Sequence, residues 1–180
     1  TWLSDLDNAG TVSFYRANST IQGAYTSQPN SLLNIQGDVS YNAALTLGNG
    51  FINHGELRLQ QNGYYYLNGH KTATFTITNG QLINASDGLI NITGANGYRY
   101  LNAELINEGE LLLRYNLALG GPSFVNKPSG VISGNRTLDV STAIFVKIGE
   151  IQVAVAVSNF WRLGHVGSRS ATGPPPRQPA

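Results

Sequence analysis

Cysteine is absent from the 180 residues, so neither a disulfide nor a cysteine-based metal site can form. Charge is also scarce: Asp, Glu, Lys and Arg together make up 12% of the chain, roughly half the usual share. A net charge of +1 leaves no overall field to draw the chain to nucleic acid or to insert it at an anionic membrane. No apolar run approaches the roughly 20 residues of a membrane-spanning helix. No signal peptide is visible and Thr1 is not an initiator, so the chain reads as a mature form or an excised fragment.

Catalytic motifs are missing as well. His54, His70 and His165 have no ligand spacing, no Gly-rich loop leads into a helix, and no Gly-x-Ser-x-Gly elbow occurs. No cofactor and no metal are expected. The few carboxylates gather at Glu104, Glu108 and Glu110, with Arg99 and Arg114 near in sequence. Paired carboxylates on an outer face would suit glycoside chemistry; outward charges that keep strands from associating are the plainer account. Asp87 and Asp139 read as turn caps.

What is abundant is turn chemistry. The chain holds 21 glycines and is rich in Asn, Ser and Thr. Gly and Asn tolerate the left-handed backbone that corners use. Around these corners a phrase recurs, clearest at residues 104–113: Leu105 and Ile106 run into Asn107-Glu108-Gly109, and Leu111 and Leu113 follow. Taking the turn glycine as the landmark, copies fall at Gly10, Gly37, Gly55, Gly88, Gly109, Gly130 and Gly149. The second residue after each is aliphatic: Val12, Val39, Leu57, Ile90, Leu111, Ile132 and Ile151. The third is polar in all but Leu112, and the fourth apolar in all but Gly134. Period-two alternation at a fixed offset marks half-buried strands, and a period near 20 residues marks a solenoid whose copies stack. The outward column Thr11, Asp38, Glu56, Leu89, Glu110, Val131, Glu150 alternates acids with aliphatics from Glu56 on, as parallel stacking requires if like charges are not to meet. The turn asparagines either bond one another as an internal ladder or simply suit the corner backbone.

These patterns predict an all-β fold, a single-stranded parallel β-helix (β-solenoid) of about seven coils, with a right-handed wind. The solenoid domain spans residues 1–161. Trp2 at one end and Phe160 with Trp161 at the other are placed to cover the core. Residues 17–30 read as loop and 151–157 as one last strand. Residues 60–80 are the largest departure: Asn68-Gly69 between alternating segments signals a hairpin, and an extra coil without the landmark would also fit. Residues 162–180 carry Arg162, Arg169, Arg177 and a Pro-Pro-Pro run with no acid, a tail that is either disordered or docks on a neighbour.

The phrases Phe51-Ile52-Asn53-His54-Gly55-Glu56-Leu57, Leu105-Ile106-Asn107-Glu108-Gly109-Glu110-Leu111 and Ser133 through Val140 resemble the repeats of bacterial right-handed β-helix surface proteins. These are autotransporter passengers and filamentous-haemagglutinin-type adhesins, and the likeness covers roughly residues 5–157. It implies secretion, an extracellular or cell-surface location, and binding to other cells, host surfaces or glycans. The chain is much shorter than such passengers, ends in a basic proline-rich tail and contains no translocator domain.

For binding, aromatic residues stand out. Tyr64, Tyr65 and Tyr66 lie near His70 and Lys71, and Tyr98 and Tyr100 flank Arg99. Alternation puts Tyr64 and Tyr66 on one face, and exposed tyrosines suit sugar or protein surfaces. Tyr64, Tyr66, Tyr98, Arg99 and Tyr100 are therefore the candidate ligand-binding residues. Thr72, Thr74, Thr76 and Thr78 alternate as in arrays that solenoids turn to ice, but the sequence offers no matched row in adjacent coils. The expected role is a non-enzymatic extracellular structural or adhesion module that presents a binding surface to a protein or glycan. It could also assemble with other subunits through its solenoid ends or its C-terminal tail. A carbohydrate-binding or carbohydrate-active β-helix protein is the alternative.

Overall fold

A computed structural model describes residues 1–63, 71–95, 98–141, 144–147, 149–152 and 155–157. The chain winds as a parallel β-solenoid of about six turns, and each turn has three faces. The first face is a sheet of seven strands: β2 (Thr11–Tyr15), β5 (Leu32–Asp38), β8 (Glu56–Asn62), β10 (Leu89–Gly94), β12 (Glu110–Leu113), β15 (Val131–Gly134) and β18 (Glu150–Ile151). The second face stacks β3 (Asn18–Ile21), β6 (Ala43–Leu47), β9 (Ala73–Asn84), β11 (Arg99–Asn107), β13 (Leu117–Gly120), β16 (Leu138–Val140) and β19 (Val155–Val157). The third face holds β1 (Leu6–Asn8), β4 (Tyr25–Ser27), β7 (Phe51–Asn53), the C-terminal parts of β9 and β11, β14 (Ser123–Asn126) and β17 (Ile144–Lys147). All the pairings given for these strands are parallel and link one turn to the next.

The core is a set of ladders. On the first face Leu33, Leu57, Ile90, Leu111 and Ile132 pair in register and are buried. Ile35, Leu59, Ile92 and Leu113 form the next column. Tyr25, Phe51 and Phe75 add edge-to-face contacts at 4.8 and 6.2 Å between ring centres.

Register corrects the second repeat copy. Val12 pairs with Leu33, and Leu33 with Leu57, so the column runs through Leu33 and Ile35 and not through Val39 and Tyr41. Ser31 occupies the corner position that glycine holds elsewhere, which hid this copy behind Gly37. The outward column is accordingly Thr11, Leu32, Glu56, Leu89, Glu110, Val131, Glu150. Alternation of acid with aliphatic therefore extends one turn further than the landmark suggested. Residues 17–30 are not loop, since they contain β3 and β4, and the run 151–157 is divided between β18 and β19.

The corner between the third and first faces alternates in the same way. It is short at Asn8–Gly10, Asn53–Gly55 and Asn107–Gly109, and two residues longer at Ser27–Ser31, Asn84–Gly88 and Asn126–Gly130. In the long corners the amides of Ser31, Gly88 and Gly130 donate to the carbonyls of Gln28, Ala85 and Lys127, closing β-turns with Pro29, Ser86 and Pro128 in the first central position. Short corners lead into Thr11, Glu56 and Glu110; long ones lead into Leu32, Leu89 and Val131. The true repeat is thus a pair of turns.

The corner asparagines do form a ladder. Ser27 Oγ donates to Asn53 Oδ1 at 3.1 Å, and the Nδ2 groups of Asn53, Asn84 and Asn107 donate to the Oδ1 of Asn84, Asn107 and Asn126 at 2.9, 2.8 and 2.7 Å. Each amide also reaches a carbonyl of the next turn, such as Leu89 O from Asn53 and Glu110 O from Asn84. The landmark glycines have a different reason from the left-handed backbone expected of them. A Cβ on Gly109 would overlap the Ala85 carbonyl oxygen of the preceding turn, and left-handed glycines sit instead at other corners, such as Gly94 and Gly134.

At the N-terminal end Trp2 adds a parallel bridge to Ile21, and the residue is 52% exposed. Phe160, Trp161, the Asn68-Gly69 turn and the 162–180 tail lie outside the described residues. Of the 60–80 departure, residues 73–77 are an in-register rung between β6 and β11.

Asn107→Ala removes the acceptor for Asn84 and the donor for Asn126 in a fully buried column, so it is expected to cost about 2–4 kcal/mol. Urea denaturation of the variant checks this, and a loss below about 0.5 kcal/mol would show the ladder to be incidental.

Candidate functional site

The tyrosines gather at the edge where the first face turns into the second. Tyr15 ends β2, Tyr41 precedes β6, Tyr98 and Tyr100 enter β11, and Tyr115 precedes β13. Because every turn places this corner above the last, the side chains line up along the solenoid axis.

At the first two turns the cluster is Tyr15, Arg16, Asp38 and Tyr41. The Arg16 guanidinium lies over the Tyr15 ring at 4.6 Å and the Tyr41 ring at 5.5 Å, and it forms an ion pair with Asp38. Tyr15 donates its hydroxyl proton to Asp38 Oδ2 at 3.2 Å. Arg16 adopts a left-handed backbone with φ of 53°, an uncommon state for a residue with a side chain, held by these contacts. Tyr41 is 57% exposed, while Asp38 is buried beneath it. Burial alone would raise the Asp38 pKa; hydrogen bonds from the Ser40 and Tyr41 amides and the Tyr15 hydroxyl, with the charge of Arg16, outweigh it and hold the carboxyl below its ordinary value.

Two turns on, Tyr98 is 52% exposed and stacks on Tyr100, with ring centres 6.0 Å apart and planes 29° apart. Both point outward, as alternation required. Arg99 does not belong to this surface. It is fully buried, in the inward column Ala43, Ala73, Arg99, Leu117, Leu138. The small side chains of Ala43 and Ala73 leave room beneath the corner, and the guanidinium fills it. Its Nη2 donates to Thr93 O and Ala95 O, both at 2.7 Å, and its Nε to Thr93 O at 3.1 Å. It also lies 4.3 Å from the Tyr115 ring centre. Burial pushes its pKa down to about 10, and it remains a cation at neutral pH. Arg99 therefore holds the corner that presents Tyr98 and Tyr100. The alternation rule that pointed those two tyrosines outward carries Arg99 inward, and that signal was present in the sequence. Arg136 approaches Tyr115 from the next turn at 5.4 Å, with Asn116 and Asn135 exposed beside it.

Tyr64 and Tyr66 lie outside the described residues. Tyr15, Tyr41 and Tyr115 were not singled out from the sequence, because each stands alone rather than in a run. Only the register shows that they share an edge.

The carboxylate cluster does not converge. Glu104 accepts from Gln81 and Ser123 on the third face, Glu108 sits in a corner, and Glu110 accepts from Ser133 on the first face. Glu56 is engaged by Arg58 at 2.7 and 2.8 Å and by Asn91 at 2.7 Å. Asp87 reaches back to His54 at 2.9 Å. Among the described residues no three His, Cys, Asp or Glu side chains gather as a metal site. A threonine row does exist across neighbouring turns: Thr20, Thr46 and Thr76 pair in register, before Asn102 ends it beside Tyr100.

No family model, curated protein or solved structure matches this chain.

Two outcomes are expected. Arg99→Met leaves the carbonyls of Thr93 and Ala95 without their buried partner and should cost about 3–5 kcal/mol in chemical denaturation, whereas Tyr98→Ala should stay within about 0.5 kcal/mol; equal losses would mean that the corner does not depend on Arg99. The folded-state pKa of Asp38 is depressed, so its contribution to stability is complete above about pH 4 and is lost as pH falls through the lower folded value. The melting temperatures of wild type and Asp38→Asn should differ at pH 7, and the gap should narrow as pH falls below about 4; a gap independent of pH would refute the linkage.

Proposed function

We propose that this chain is an extracellular structural and adhesion module, a β-solenoid scaffold that presents an aromatic edge to a glycan or protein surface. The observation that carries this reading is the gathering of Tyr15, Tyr41, Tyr98, Tyr100 and Tyr115 at one edge, on the first, second, fourth and fifth turns. Tyr41 and Tyr98 remain about half exposed there, although each could have been buried in so regular a stack. Exposed tyrosines with arginine and asparagine neighbours supply flat apolar area and hydrogen bonds together, which suits pyranose rings and polar protein surfaces. A neutral, low-charge wall fits a ligand held by stacking more than one held by ions. The likeness of the Asn-x-Gly-x-Leu phrases to bacterial surface-protein repeats supports a secreted, cell-surface setting.

The test is a glycan array run beside an array of purified extracellular proteins. Binding is expected on one of them, weakened about 5- to 10-fold by Tyr41→Ala and by Tyr98→Ala, roughly 1–1.4 kcal/mol each. Silence on both arrays, or binding indifferent to both substitutions, would remove the edge as the binding surface.

A further inference from the structure

The third face carries a feature that the aromatic edge does not explain. Its outward column reads Ile52, Ile83, Ile106, Val125, Val146 on five successive turns, paired in register. All five are aliphatic and β-branched, and all point away from the core. Ile52 is 48% exposed and Val146 38%, with Ile83, Ile106 and Val125 partly exposed between them. Five rungs at about 4.8 Å make an unbroken apolar stripe about 19 Å long. The inward neighbours Leu82, Leu105 and Phe124 already fill the core, so the stripe is not needed to hold the turn together.

At the turns of Ile106 and Val125 both margins of the stripe are polar. On one side Gln81 and Ser123 donate to Glu104. On the other, Glu108 and Lys127 follow the ladder asparagines on adjacent turns, and among the described residues neither takes part in an ion pair. A stripe with such margins can meet a copy of itself in two symmetric ways. With the two-fold axis along the solenoid, the margins exchange, and Glu108 would face the partner's Glu104. With the axis across the solenoid, between the turns of Ile106 and Val125, each margin faces its own kind in reverse order. Glu108 then meets the partner's Lys127 on both sides of the axis, and Glu104 meets the partner's Ser123. Ile106 packs on the partner's Val125 and Ile83 on the partner's Val146.

We propose that the third face is a self-association surface, on which a second copy of this chain packs antiparallel through the Ile52–Val146 stripe. Charge selects the antiparallel arrangement, because the parallel one sets carboxylate against carboxylate. A stripe one side chain wide buries less than the roughly 1,200 Å² of a stable complex, so association is weak and concentration-dependent. In a three-faced solenoid the aromatic edge lies opposite the third face. Pairing therefore leaves both edges free and pointing apart, so a dimer would bridge two ligand-bearing surfaces and would not grip one surface twice.

Sedimentation velocity on the full chain from about 10 µM to about 1 mM tests this, over the range where so small an interface associates. A reversible dimer is expected at the upper end. Ile106→Lys places a charge in the middle of the stripe on an outward side chain and should give a monomer throughout, with an unchanged circular dichroism spectrum. Lys127→Glu should weaken the dimer about 5-fold or more, and Glu108→Lys with Lys127→Glu should restore it to within about 2-fold. A monomer at all concentrations, a dimer indifferent to Ile106→Lys, or a charge reversal that the second substitution fails to rescue would each overturn the proposal.

Discussion

From the second turn to the sixth, this solenoid is tied together by a single column of buried side chains, one serine hydroxyl and four asparagine amides. Ser27, Asn53, Asn84, Asn107 and Asn126 bond in sequence, and each asparagine also takes a carbonyl from the corner that follows. A buried amide left unpaired costs about 1–3 kcal/mol, so no turn can shift its register without breaking bonds on both sides. Once the corners are stacked at strand spacing, everything else stacks with them. The aliphatic columns fall into register, the corner glycines from Gly55 on are required because a Cβ there would overlap a carbonyl of the preceding turn, and outward residues of successive turns become neighbours.

That last consequence is where function enters. A solenoid makes columns out of residues about 20 or more positions apart, so a side chain repeated at one offset becomes a line on the surface. Three such lines are visible. The first face alternates acids with aliphatics, and its Glu56 and Glu110 carboxylates are bonded within it. The edge beyond it carries tyrosines, some backed by buried or ion-paired arginines. The third face carries β-branched aliphatics. Arg99 shows how the second line is built: a cation deep in the corner binds the Thr93 and Ala95 carbonyls, and the turn thereby holds Tyr98 and Tyr100 outward. Arg16 does comparable work nearer the surface, strained into a left-handed backbone and held by Asp38 and two rings.

Much of the fold was legible before any coordinates. Period-two alternation after Gly55, Gly88, Gly109 and Gly130 implied stacked strands, and the pairing of Leu57, Ile90, Leu111 and Ile132 follows that offset. The second copy was misplaced because Ser31 stands where glycine is usual, and Gly37 four residues after Leu33 imitated the landmark. The stretch 17–30 looked like loop because Pro29 and its polar neighbours are turn residues, yet they close a corner between strands. Of the candidate site, Tyr98 and Tyr100 were found by their closeness in sequence. Tyr15, Tyr41 and Tyr115 were not, since nothing in a linear reading ties residues 26 or 74 positions apart.

The sequence by itself determined the repeat, the parallel stack and which face of each strand is buried, because alternation and turn chemistry act over a few residues. The tertiary structure alone decided which turns are neighbours in register, and therefore which side chains meet. It paired the short corners with the long ones, joined the asparagines into a ladder, sent Arg99 into the core, gathered the tyrosines at one edge and drew the β-branched residues into one line. Those relations depend on strand register, which corners of different length preserve, and a one-residue slip of a strand against its neighbours would turn its side chains to the opposite side of the sheet.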